Sequence, residues 1–258
     1  MCIIAIARDR HLTDQEITNC FQSNSDGVGM AWLIPGGKVR VRKGFMTLEN
    51  FLEFYNGFKA ENADFVSHVV HFRTATSGDV SREMTHPFVM TPMSELAVEE
   101  DTEKSVLFHN GVMGDWKTLL VNMVTSGQIP GMPKGPMNDT RVAAIMASLP
   151  NVGDEILEVL SGKFVKVQPD GRIIRWGHFE FDNGIFFSNN AYKWVTYRYN
   201  GGKNSCLAGN QQGGTYWQNQ EKFHGKNIKD MSDEDWDEYC KEFYPEYCGQ
   251  KEQNVALP

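Results

Sequence analysis

"MCIIAIARD", residues 1–9, is the stretch from which the rest of the chain can be read. Residues 2–7 are short, continuous, apolar and rich in β-branched side chains, the pattern of a buried strand. A cysteine directly ahead of such a strand also raises a chemical question. If Met1 is removed, Cys2 carries a thiol and a free α-amine on one residue. A thiol is activated by an adjacent base, and an α-amine titrates near pH ~8. Nucleophile and base would then be the same residue. The plainer reading is an ordinary buried thiol, since the chain holds five cysteines.

Outward from this strand, helices alternate with mostly hairpin-linked strands. "LTDQEITNCF" predicts a helix, with Thr13 and Glu16 in a capping-box pattern and Ile17, Cys20 and Phe21 on one face. "GVGMAWLIPGGKVRVRKG" predicts a hairpin turning at Pro-Gly-Gly. "TLENFLEFYNGF" is helical with Thr47 as N-cap, and "FVSHVVHFRTAT" and "SVLFHNGVMG" are strands, the second ending in a turn. "DTRVAAIMASL" and "DEILEVLS" predict short helices. "KFVKVQPDGRIIRWG" predicts a hairpin about Pro-Asp-Gly, and "GIFFSN" a further strand. This mixture points to an α+β layered fold rather than repeated βαβ units.

After about residue 198 the composition changes. Residues 199–228 are rich in Gly, Asn and Gln and read as a linker or loop. Residues 229–258 form a tail with an amphipathic helix expected over 232–243, where Trp236, Tyr239, Cys240 and Phe243 share a face. Docking of that helix on its own domain is the expected arrangement, and a partner groove is the alternative.

Bulk properties exclude several classes. The net charge of −8 argues against binding to nucleic-acid backbones. No apolar run approaches the ~20 residues of a membrane span, and no basic segment precedes the first apolar run, so neither a membrane nor a secretory signal is expected. The cysteines are scattered, odd in number and without a CxxC pair, which argues against a disulfide framework or zinc ribbon. A cytoplasmic protein is expected, with no cofactor and no metal.

Four segments join Cys2 as carriers of chemistry. "SNSDGVGMAW" has Gly27 and Gly29 for close backbone approach. "HFRTATSG" sets Arg73 at a strand end, with Thr76 and Gly78 in the turn beyond. "FHNGVMGDW" brings Asn110 and Gly111 to another strand end, and "MNDTRVAA" puts Asp139 at a helix start. Taken singly, each has a plain reading: a surface charge for Arg73, a hairpin turn for Asn110-Gly111, a helix cap for Asp139. A His68/His71 metal pair fails because the two side chains leave a strand on opposite faces. A Cys2–His109–Asn110 protease triad fails because adjacent strand residues diverge.

Taken together, the segments resemble the class II glutamine amidotransferases, a branch of the N-terminal-nucleophile (Ntn) hydrolases. The resemblance rests on Met-Cys at the start, His71 to Gly78 as H-x-R-x-A/S-T-x-G, His86-Pro87-Phe88, His109-Asn110-Gly111, and "NDTR" in place of an SD(S/T)E segment, in order across about residues 1–190. It implies a four-layer αββα sandwich, two antiparallel sheets between helical layers. It also implies hydrolysis of L-glutamine to release ammonia. In this scheme Cys2 is the nucleophile, and Asn110 and the Gly111 N–H stabilise the oxyanion. Arg73 and Thr76 bind the substrate carboxylate, and Asp139 binds its ammonium. Two departures bear on substrate identity: Arg141 replaces the usual Glu, and "SNSDG" lacks an Arg-Gly pair. No G-x-x-x-x-G-K-[ST] loop is present, and the roughly 60 residues past the core are too few for a synthetase. An ammonia-accepting partner is therefore expected. The alternatives are an amidohydrolase for another γ-glutamyl amide and an inactive binding protein.

Overall fold

The structure, a computed structural model, describes residues 2–195 and the short segments 208–209, 222–223 and 226–227. The chain divides into two compact units, Met1–Tyr192 and Lys193–Pro258. In the second, Trp194–Val195 pairs antiparallel with Ala208–Gly209, and Lys222–Phe223 with Lys226–Asn227. The tail helix expected over 232–243 lies outside the described residues.

The first unit is built on two antiparallel sheets. The larger contains β1 (Ile3–Ala7), β2 (Val28–Ile34), β3 (Lys38–Phe45), β4 (His68–Phe72), β6 (Glu99–Thr102), β10 (Glu180–Asp182) and β11 (Ile185–Phe187), in the order β10-β11-β1-β4-β2-β3-β6. The smaller contains β5 (Phe88–Val89), β7 (Val106–Asn110), β8 (Lys163–Val167) and β9 (Ile173–Trp176), in the order β5-β7-β8-β9. β1 lies inside the larger sheet, paired with β4 and β11.

Side-chain alternation along these strands separates three apolar cores. Ile3, Ala5 and Ala7 pack with Val28, Met30 and Phe72 against α1 (Asp14–Ser23) and α2 (Leu48–Glu61). Ile4 and Ile6 face the other way and meet Val106, Phe108, Val165 and Val167 of the smaller sheet. Leu107 and Phe164, on the far face of that sheet, pack under α3 (Trp116–Thr125), α4 (Asp139–Ser148) and α5 (Ile156–Val159). The layers thus run helix, sheet, sheet, helix, the αββα sandwich expected from the resemblance. Because β1 is covered on both faces, its residues are apolar without alternation.

The helix starts follow their local chemistry. Thr13 and Glu16 form both halves of a capping box, and Thr47 accepts from the Asn50 N–H. For α4 the cap is Asn138, whose Oδ1 accepts the Arg141 N–H at 2.8 Å. The helix-cap reading of Asp139 is thereby corrected: the adjacent residue caps, and Asp139 is free to face inward. α3, β5, β6 and β10 were not anticipated from sequence. β6 is an edge strand of charged residues, held to β3 by Arg40–Asp101 and Arg42–Glu99 pairs. Among the described residues, no helix is long and apolar enough to cross a membrane.

Candidate active site

Cys2 precedes β1 and is buried. Its Sγ donates to the Thr74 carbonyl at 3.3 Å and accepts the Thr74 N–H at 3.3 Å. The thiol is thus locked on the loop that follows β4. Burial pushes the Cys2 thiol above its ordinary value, and the Thr74 N–H bond opposes that shift in part. At neutral pH the group is therefore a thiol that needs a proton acceptor. The Cys2 carbonyl accepts from Asn189 Nδ2 at 2.8 Å.

The loop under the thiol is held by "SNSDG". Asn24 Oδ1 accepts from the Thr74 hydroxyl at 2.7 Å, and Asp26 Oδ2 from the Ala75 N–H at 2.8 Å. Two backbone bonds, Asp26 N–H to Arg73 O and Arg73 N–H to Gly27 O, add to this. Gly27 has φ +114°, and a side chain at Gly29 would overlap the His86 carbonyl. Both glycines are thus sites of close backbone approach.

Arg73 is buried, and its guanidinium donates to the carbonyls of Asp79 at 2.7 Å and Ser77 at 3.1 Å. It thus folds the 73–79 loop around itself, a second use beside the carboxylate fork expected of it. Burial lowers its proton affinity, while Cys2, Asp26 and Asp139 raise it. Thr76 lies exposed on the same loop.

The opposite wall comes from the smaller sheet and α4. Asp139 is buried, with Oδ2 accepting the Met113 N–H at 3.0 Å and Oδ1 the Thr140 N–H at 2.9 Å. Its charge acts on both Cys2 and Arg73. Asn110 ends β7, buried, with Nδ2 2.8 Å from Ser188 Oγ. At Gly111 a Cβ would come within 2.6 Å of Gly162 Cα and of His109 Nε2, so only glycine fits. Cys2, Arg73 and Asp139 are thus within electrostatic reach of one another, and Asn110 is linked to the strand of Cys2 through Ser188.

The histidines lie behind these residues. His68 points toward α2, with Nδ1 on the Val66 carbonyl and Nε2 on Tyr55 Oη at 2.7 Å. His71 points toward the other sheet, with Nε2 donating to the His109 carbonyl at 3.0 Å. The opposite-face argument against a metal pair therefore holds. His109 stacks on Phe164 and donates from Nε2 to the Ser161 carbonyl, away from Asn110. Burial lowers its proton affinity, so it is neutral at pH 7 and Nδ1 accepts from the Thr140 hydroxyl. Thr140 then accepts from His86 Nε2 at 2.8 Å. These bonds assign the tautomers of His68, His71, His86 and His109 and tie the His86–Pro87 element to α4.

Arg141 is fully buried and donates to the carbonyls of Met93, Ser94 and Pro136. At this departure from the usual Glu the side chain anchors neighbouring loops. Sequence reasoning missed Asn24, Asp26, Thr74, Ser188 and Asn189. The signal for the last two was present: a polar Ser-Asn pair closing the apolar run "GIFF".

No family model matches the sequence, and neither does any curated protein. Solved structures do. One is a glutamine phosphoribosylpyrophosphate amidotransferase from B. subtilis complexed with ADP and GMP, at 13% identity and a TM-score of 0.44. Another carries the name allosteric regulatory enzyme of purine biosynthesis, at 15% identity and a TM-score of 0.45. In each case the match covers 72% of this chain and 41% of the other.

Proposed function

We propose that the protein hydrolyses the side-chain amide of L-glutamine through a cysteinyl thioester and releases ammonia for use by a partner enzyme. The observation that carries this reading is the Cys2 thiol bonded to Thr74, on the loop that presents Arg73, with the Asp139 carboxylate acting on both. A thiol flanked by one fixed cation and one fixed anion suits a substrate with both a carboxylate and an ammonium. Arg73 has donor capacity left beyond its two carbonyls for the carboxylate, and Thr76 adds a hydroxyl from the exposed side. Asp139 receives the ammonium.

Chemistry then needs a base for a thiol that burial keeps protonated. In this scheme cleavage after Met1 frees the α-amine of Cys2, which takes the thiol proton as Sγ attacks the amide carbon. The oxyanion is met by the Asn110 side-chain amide and the Gly111 N–H. Collapse breaks the C–N bond, the α-ammonium returns its proton to the leaving nitrogen, and ammonia departs. Water, deprotonated by the same amine, attacks the thioester, and glutamate leaves as the thiol is restored.

Intact mass and glutaminase turnover, measured on one sample, test the scheme. The expected result is loss of Met1 with turnover, and loss of turnover in Cys2→Ala with the fold retained. Full retention of Met1 in an active sample overturns the α-amine mechanism. A glutamine-mimicking diazoketone should label Cys2 and none of Cys20, Cys206, Cys240 or Cys248. Turnover of other γ-glutamyl amides but not of glutamine would replace the substrate assignment.

A further inference from the structure

Ser188 is a buried hydroxyl that joins the two sheets at the site. It follows β11 in the larger sheet. Its backbone N–H donates to the Ile4 carbonyl at 2.9 Å, and its Oγ accepts the Ile4 N–H at 2.9 Å. Its own carbonyl accepts from Lys163 Nζ of β8. The same Oγ lies 2.8 Å from the carboxamide of Asn110, at the end of β7 in the smaller sheet. The adjacent residue, Asn189, holds the Cys2 carbonyl. The pair Ser188-Asn189 therefore registers the strand of the nucleophile against the strand that carries the oxyanion donor.

The orientation of that carboxamide decides whether it can donate. With Nδ2 toward Ser188, the hydroxyl oxygen accepts twice, from Ile4 and from Asn110, and Asn110 Oδ1 is buried with no partner among the described residues. A half-turn of the amide leaves the heavy-atom positions unchanged and exchanges oxygen for nitrogen. Oδ1 then accepts the Ser188 O–H, Oγ still accepts the Ile4 N–H, and the buried oxygen is satisfied. The half-turn also puts Nδ2 in the buried position that has no partner among the described residues, so its two protons are left for the oxygen of a bound substrate to pair.

We infer that Ser188 is the positioning residue for the oxyanion donor: its hydroxyl, fixed by the Ile4 N–H, donates to Asn110 Oδ1 and turns Nδ2 toward the reacting carbonyl. The catalytic part of this inference rests on the glutamine-hydrolysis reading above. The hydrogen-bond orientation does not.

Two measurements test the two parts separately. Neutron diffraction from crystals of the perdeuterated wild-type protein locates the Asn110 deuterons. They are expected on the atom facing away from Ser188, with a Ser188 deuteron directed at Asn110. Two amide deuterons facing Ser188 overturn the inference whatever the enzyme turns over. Steady-state kinetics with glutamine supply the second. Ser188→Ala is expected to lower kcat at least ~10-fold, less than the ~100- to 1000-fold expected for removing the donor itself, with KM within about twofold of wild type. Because Ser188 acts through Asn110, Asn110→Ala/Ser188→Ala should be no slower than Asn110→Ala alone. A further drop in the double variant, or a Ser188→Ala effect confined to KM, overturns it. Absence of glutamine turnover in the wild-type protein refutes the proposed function and leaves the diffraction result to decide the orientation.

Discussion

Asp139 and Arg141 sit two residues apart at the start of α4, and their surroundings give them different tasks. The Asp139 carboxylate is held by two backbone N–H groups and acts on Cys2. Arg141 spends its donors on three backbone carbonyls of neighbouring loops. Asp139→Asn is expected to raise the KM for glutamine about tenfold or more, because it leaves the ammonium unpaired, at a smaller cost in stability of ~1–2 kcal/mol, since one of the two backbone N–H groups then meets an amide nitrogen. Arg141→Met should do the reverse: stability falls by ~3 kcal/mol or more as buried carbonyls lose charged donors, while KM in the folded protein stays unchanged. Glutamine kinetics and urea unfolding on both variants check this, and a strong KM effect at Arg141 would return that residue to the substrate. Asp139 was legible in the sequence because its motif follows three others in order. The separation between capping and facing inward was not, since Asn138 and Asp139 are both competent caps.

At the scale of elements, Lys43 shows how a strand positions a loop. Its Nζ donates to the carbonyls of Glu83 at 2.9 Å and Pro87 at 3.0 Å and lies over the Phe88 ring, so β3 grips the segment that carries His86. Burial lowers its ammonium from 10.5 to about 7. A cation with a lowered folded-state value is protonated more readily in the unfolded chain between those limits, so stability rises with pH across that window. The urea midpoint is therefore expected to rise between pH 7 and pH 9 in the wild type, and to rise less in Lys43→Met. Equal rises would mean that the ammonium keeps its ordinary proton affinity in place. Strict alternation in "KVRVRKG" puts Lys43 on the buried face with Val39 and Val41, ahead of the irregularity opposite Val28 and Gly29; what the sequence does not mark is the pair of carbonyls that holds its ammonium. The other elements divide by the same logic. Capped helices and Gly-turned hairpins were legible, since local chemistry specifies them. β6 was not, because it takes its order from cross-strand pairing of charges. α3 should have been, since Trp116, Leu119, Leu120, Met123 and Val124 form one helical stripe.

At the scale of the whole molecule, three neutral histidines are built into the layers. His68 lies on the α2 side of the larger sheet, with its proton affinity lowered by burial to about 4. His71 lies on the sheet's other face and is lowered to about 3 by burial. His86, its ring centroid 3.9 Å from that of His71 and tilted by 35°, is lowered well below its ordinary value by burial and then by the charges of its neighbours, Arg73 and Lys43 among them. Each titrates near 6.5 once unfolded. The unfolded chain therefore binds protons that the fold refuses, and stability is lost as pH falls below 6.5 toward the folded-state values. A tenfold difference in proton affinity between the two states corresponds to about 1.4 kcal/mol, so at pH 5 His68 and His71 each cost ~2 kcal/mol, ~4 kcal/mol together, and His86 adds to this in the same direction. That is comparable with the ~5–15 kcal/mol holding a typical domain together. Melting followed by circular dichroism should give a Tm that falls steeply from pH 6.5 to pH 5. The drop should lessen in His68→Gln, whose site lies across the sheet from the other two and away from Cys2. A Tm unchanged down to pH 4.5 would show that the native layers admit protons to these rings, and would remove the neutral tautomers on which the His109–Thr140–His86 chain depends.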